Sequence, residues 1–123
     1  MKSIIKSTDK IILVSLNKSF DHKNASGVYL RPNIYEATRK YWKVNINRAK
    51  QADYVFGVYK GIVQSVYKPS KWFPMDVAED GTLFSSMRYG FDGIEPENAL
   101  FWLGSDITDY PFGSGGAIRY INI

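Results

Sequence analysis

Residues 53–68 read DYVFGVYKGIVQSVYK, and no other stretch constrains the fold as tightly. Two runs rich in β-branched and aromatic residues are joined across Lys60-Gly61, the pattern of a β-hairpin. Successive side chains of a strand point to opposite faces, so Tyr54, Phe56 and Val58 oppose Val55, Gly57 and Tyr59. Both sets are apolar, which places this strand in the middle of a sheet. Gly57 in its interior marks a bulge or a place where another group approaches closely.

The other elements are read around this hairpin. KIILVSLNK (10–18) is a strand buried on most of its length. LFSSMRYGFDG (83–93) is a strand with glycine breaks, and AIRYINI (117–123) is a final strand. There Ile118, Tyr120 and Asn122 alternate with Arg119, Ile121 and Ile123. EPENALFWLG (95–104) reads either as a helical turn opened by Pro96 or as a short strand at its apolar end. Residues 19–33 read as a long loop, 69–75 as a loop pinned by two prolines and holding Trp72, 76–81 as a solvated acidic loop, and 105–117 as turn-rich.

One main helix begins at Asn33, a good N-cap, with Glu36 three residues on to complete a capping box. Ile34, Ala37, Thr38, Tyr41 and Trp42 share one face at helical spacing, with Glu36, Arg39, Lys40 and Lys43 on the other. Glu36 can pair with Lys40, whereas Arg39 and Lys43 are like charges four apart, a cost of a few tenths of a kcal/mol. The whole is α+β: one domain over residues 1–123, five to six mixed but mostly antiparallel strands, and a helix after the first. A small closed or nearly closed barrel buries two-sided strands and leaves few edges.

Composition excludes several chemistries. The chain has no cysteine, which removes disulfides, thiolate metal sites and cysteine nucleophiles and suits a reducing cytoplasm. His22 stands alone, so no site needing two imidazoles can form. No run approaches the roughly 20 apolar residues of a membrane span, and no signal peptide or membrane partner is expected. GSGG (113–116) lacks the lysine of a phosphate loop and precedes a strand. The loop acids show no ligand spacing, so neither a metal nor a cofactor is expected.

What remains is aromatic and cationic. Residues 1–75 carry 14 Lys and Arg against 4 acids, a balance of +10; residues 76–123 carry 2 against 8, a balance of −6. A basic region is the usual footprint of a polyanion, and aromatic rings in such a region stack bases. Tyr41, Tyr54, Phe56, Tyr59 and Phe91 read as core. Tyr35, Arg39, Trp42, Lys43, Arg48, Trp72 and Arg119 are the candidate binding residues, and packing gives no reason for Arg39 and Lys43.

The order YEATRKYWKVNINRAKQADYVFGVYKGIVQSVYK, a loop tryptophan, RYGFDG, FWLGSDI and a closing IRYINI resembles a family of small bacterial proteins with a YEATRxxW helix and a terminal RYxN strand. The same order of strand, helix and hairpins is similar to the PUA-like superfamily, which includes ASCH and EVE domains. That likeness implies a pseudobarrel with a cleft between barrel and helix, and recognition of RNA or a modified base. Tyr35, Arg39, Trp42, Arg48, Trp72 and Arg119 occupy the matching positions. The expected function is a non-catalytic module that binds RNA or a flipped or modified nucleobase. The alternatives are a metal-independent ribonuclease, and a small-ligand or protein interaction module that self-associates through its oppositely charged regions.

Overall fold

The computed structural model describes residues 5–17, 33–40, 42–77, 81–112 and 116–123. The loop at 19–32 with His22, the ring of Tyr41, and 113–115 of the GSGG turn lie outside the described residues. Five strands form one sheet: β1 (Ile11–Ser15), β2 (Tyr54–Tyr59), β3 (Ile62–Val77), β4 (Leu83–Ile94) and β5 (Ile118–Ile121), in the order β4-β3-β2-β1-β5. β1 and β2 are parallel, and every other pair is antiparallel. A parallel pair needs a long crossover, and here it carries two short helices, α1 (Ile34–Arg39) and α2 (Ile46–Ala49).

The hairpin forms where its sequence places it. Lys60 and Gly61 make the two-residue link with φ of 50° and 80°, the positive values that match the twist of the flanking strands. The register shifts between Gly57 and Val58, so the strand bulges at its glycine. Thr38 and Ser65 close in on the same position from the helix and from β3. Both readings of Gly57 therefore hold.

Alternation in the central strands produces a core on each face. Ile11, Leu13, Phe56, Val58, Val63 and Val66 pack under residues 95–112, where Ala99, Trp102 and Ile107 supply the cover. Ile12, Val14, Leu16, Val55 and Phe91 pack under the crossover, covered by Ala37, Trp42, Val44 and Ala49. Each such Val, Leu, Ile or Phe side chain, fully buried, contributes roughly 1.5–3 kcal/mol of apolar transfer free energy. At the start of the 95–112 segment the helical turn is realised as a 3-10 turn at Ala99–Phe101. None of the helices described is long and apolar enough to cross a membrane.

Three expectations are corrected. The sheet is open: β4 and β5 are its two ends, and no pairing joins them among the described residues. β3 explains this, because it pairs with β2 up to Tyr67 and then with β4 alone, so a two-stranded ribbon runs out past the central strands. The prolines of 69–75 lie inside that strand and not in a loop. Pro74 faces Tyr89, whose N–H and C=O are both bonded to Trp42 on the far side, and Pro69 faces Gly93, whose N–H goes to Tyr35. Neither proline is asked for the donor it lacks. Finally, α1 stops at Arg39: Lys40 is already extended, and Trp42 is drawn into a bridge with Tyr89 of β4.

Candidate functional site

α1 is only six residues long, too short to be stable alone, and side chains hold it at both ends. Asn33 accepts the Glu36 N–H at 2.9 Å, as the cap predicts. The Trp42 indole donates to the Thr38 carbonyl at 2.8 Å, satisfying an acceptor that the short helix leaves open. Glu36, facing the last turn, pairs with Lys40 at 3.2 Å and with Arg39 at 3.1 Å.

These residues complete the outer edge of β4. Gly93 N–H donates to the Tyr35 hydroxyl at 3.1 Å. Arg39 Nε donates to the Phe91 carbonyl at 2.8 Å. Trp42 N–H donates to the Tyr89 carbonyl at 2.9 Å, and Tyr89 N–H donates to the Trp42 carbonyl at 2.8 Å. One hydroxyl, one guanidinium and one stretch of backbone thus stand where a neighbouring strand would stand, at alternate residues 89, 91 and 93. A bare edge of this length would be a template for aggregation, and covering it removes that liability.

Arg39 is the centre of this arrangement. Its Nη1 reaches both Glu36 oxygens at 3.1 Å and its Nη2 reaches Asp92 at 2.6 Å. The guanidinium carbon lies 5.3 Å from the centre of the Tyr35 ring and 5.5 Å from that of Phe73. Burial works against the charge, but the Glu36 and Asp92 carboxylates outweigh it and hold the Arg39 pKa above its ordinary value. Packing and pairing therefore account for Arg39, contrary to the expectation from sequence. Lys43 is exposed.

The remaining candidates are dispersed. Trp72 packs its ring 5.0 Å from Phe91 within the helix-side core, so it shares a cluster with Trp42. Arg48, on α2, stacks 3.9 Å from the centre of the Tyr120 ring and donates to the Ile123 carbonyl at 2.7 Å. Arg119 alternates to the other side of β5, where it donates to the Pro111 carbonyl at 2.8 Å and lies 5.8 Å from the centre of Tyr110. The structure thus brings Tyr35, Arg39, Trp42 and Trp72 around β4, and places Arg48 at one end of β5 and Arg119 on the opposite face.

Tyr67 packs edge-on against Tyr35 at 5.0 Å. Burial pushes its phenol pKa up, helped by the Glu95 carboxylate and by Tyr35. The folded state then holds the Tyr67 proton more tightly than the unfolded chain. That stability is complete below the ordinary tyrosine value of about 10 and is lost as pH rises through the higher folded value. Stability above pH ~10 is expected to fall more steeply in the parent than in Tyr67→Phe, as measured by urea unfolding across alkaline pH. Equal slopes would show that this phenol does not couple to folding.

A cavity of about 280 Å³ opens on the Arg119 side, at the β2–β3 turn. Val58, Ile107, Tyr110, Pro111 and Phe112 form apolar walls, with Asn17, Lys60 and Thr108 among the polar lining. Sequence reasoning missed it, because residues 105–117 read as turn. The ring-proline-ring run Tyr110-Pro111-Phe112 was the available signal, since a turn without a packing duty rarely carries two rings. Among the described residues no cluster of acids and histidines could hold a metal. No family model, curated protein or solved structure matches this chain.

Proposed function

We propose that the chain is a non-catalytic binding module for RNA, or for a single base displaced from DNA, carried on a PUA-like arrangement of strand, helix and hairpins. The observation that carries this reading is the distribution of exposed cations. Lys6, Lys10, Lys43, Lys50, Lys60, Lys68 and Lys71 are exposed, and all belong to the basic first 75 residues, whereas Arg88 and Arg119 beyond them are half-buried. A polyanion is the partner that exposed lysines attract, and phosphate contacts supply most of the affinity in sequence-independent binding. The PUA-like part of this reading rests on the order of motifs in the sequence, and the open sheet argues against a fully closed barrel.

The test is a fluorescence titration of single-stranded RNA at several salt concentrations. Each phosphate contact to a single strand releases about 0.7 counterion, so three or four contacts give a slope of about −2 to −3 in log K against log salt. Absence of binding at low salt, or binding indifferent to salt, would overturn the proposal. Cleavage of the RNA in the presence of a chelator would replace it with a metal-independent ribonuclease.

A further inference from the structure

We propose that the cavity at the β2–β3 turn holds one base of a nucleotide, that Lys60 meets its phosphate, and that Arg119 positions the aromatic wall. This rests on the reading above and names the site at which that reading would act. The cavity is built by long-range contacts and not by a chance gap between loops. The Ile107 N–H donates to the Gly61 carbonyl at 2.8 Å, the Val63 N–H to the Ser105 carbonyl at 3.0 Å, and the Gly104 N–H to the Val63 carbonyl at 2.9 Å. These bonds stitch residues 104–107 along the first residues of β3.

Gly61 sits at the join with φ of 80°, and a Cβ there would come within 2.5 Å of the Thr108 methyl, so turn and wall are pressed together. Thr108 is itself fixed, its N–H and hydroxyl both donating to Asp106 at 2.9 Å and 2.7 Å. Arg119 then holds the segment that bears Tyr110 and Phe112 through the Pro111 carbonyl. It is a positioning residue: its guanidinium is occupied by the wall.

The chemistry of the lining selects the ligand. At about 280 Å³ the space lies at the low end of small-molecule sites, which run from ~300 to 1,000 Å³, so it suits a single ring system. Tyr110 and Phe112 offer aromatic surface, on which bases stack without regard to sequence. The Asn17 side-chain oxygen is committed to the Lys60 N–H at 3.3 Å, which leaves its amide donors for a ring nitrogen or carbonyl of a base. The Lys60 ammonium rests 5.3 Å from the centre of the Tyr59 ring. An exposed contact of that kind is weak, so a phosphate can draw the ammonium away.

Nuclear magnetic resonance titration with UMP, AMP and adenosine, run beside the RNA titration, tests this. The nucleotides are expected to shift the signals of Tyr110, Phe112 and Lys60. Tyr110→Ala should weaken RNA and nucleotide binding roughly 5- to 150-fold, the effect of losing one stacked base. Lys60→Asn, which tolerates the positive φ, should weaken AMP and leave adenosine unchanged. Arg119→Met should weaken all three, while Arg119→Lys restores part of the affinity. RNA binding that ignores these variants, with cavity signals unmoved by nucleotides, would overturn the cavity assignment and leave the general reading intact. Nucleotide binding here without RNA binding would overturn the RNA arm of the general reading, leave the displaced DNA base, and support the cavity. Neither binding overturns both.

Discussion

Replacing Arg39 with alanine is expected to destabilise the fold by about 2–4 kcal/mol, measured by urea unfolding. Hydrogen bonds to charged groups contribute about 1.5–3 kcal/mol each, and breaking a buried ion pair costs about 3–5. The lower range applies because Asp92 is 58% exposed and because Lys40 stays on Glu36 at 3.2 Å. The largest part of the loss comes from the Phe91 carbonyl, which Arg39 Nε contacts at 2.8 Å on an otherwise open strand edge. Arg39→Lys should recover only part, since one ammonium cannot reproduce a planar fork that serves a carbonyl and two carboxylates. A second readout separates edge protection from ordinary pairing: the alanine variant should self-associate as β4 is uncovered, visible as concentration-dependent light scattering. A variant within about 0.5 kcal/mol of the parent and monomeric throughout would show that Arg39 does not guard this edge.

Gly57→Ala is expected to cost a similar amount, about 2–4 kcal/mol, for a different reason. The added Cβ would lie 2.2 Å from Ser65 Oγ, 2.8 Å from Leu16 Cδ1 and 2.9 Å from Thr38 Oγ1. All three neighbours are buried and belong to separate elements, so none can withdraw freely. Overpacking alone costs about 1–3 kcal/mol. The Thr38–Ser65 bond of 2.7 Å would also be strained. Thr38 donates to the Ile34 carbonyl, so Ser65 is the donor in that pair, and moving it strands a buried hydroxyl. Gly57→Ala combined with Ser65→Ala removes the shortest contact and should be more stable than the sum of the two single changes predicts. Strict additivity in thermal unfolding would sink this account.

The two predictions mark how far the sequence could be read. Hairpin, bulge, N-cap and the Glu36–Lys40 pair were all legible, because each depends on residues within a few positions of one another. The two-sided burial of β1 and β2 was legible from alternation for the same reason. Partners distant in the chain were not. Nothing local tells that Arg39 bonds a carbonyl at residue 91, or that Trp42 leaves the helix to pair with Tyr89. In isolation the helical spacing of Trp42 looked sound, yet one satisfied strand edge outweighs the last turn of a marginal helix.

The candidate site shows the same division. A cluster of rings and cations in YEATRKYW was plain in the sequence, but a cation beside aromatics serves binding and edge protection with the same composition. Only the sheet, by presenting Phe91, Asp92 and Gly93 to this segment, gives Tyr35 and Arg39 an edge to cover. Arg119, a candidate contact in the sequence, bonds the Pro111 carbonyl beside a cavity that the sequence did not reveal.

By itself, then, the sequence determined the hairpin and its bulge, the helix N-cap, the two-sided burial of the central strands and the division of charge between its two halves, all of which follow from short-range stereochemistry and composition. The tertiary structure alone decided that the sheet stays open, that the YEATR segment closes the β4 edge, and that a cavity forms between the hairpin turn and residues 107–112. The physical reason is that unpaired backbone groups must find partners wherever the fold brings them, and those partners lie far along the chain, 58 residues away for Tyr35 and Gly93 and 75 for Asn45 and Tyr120.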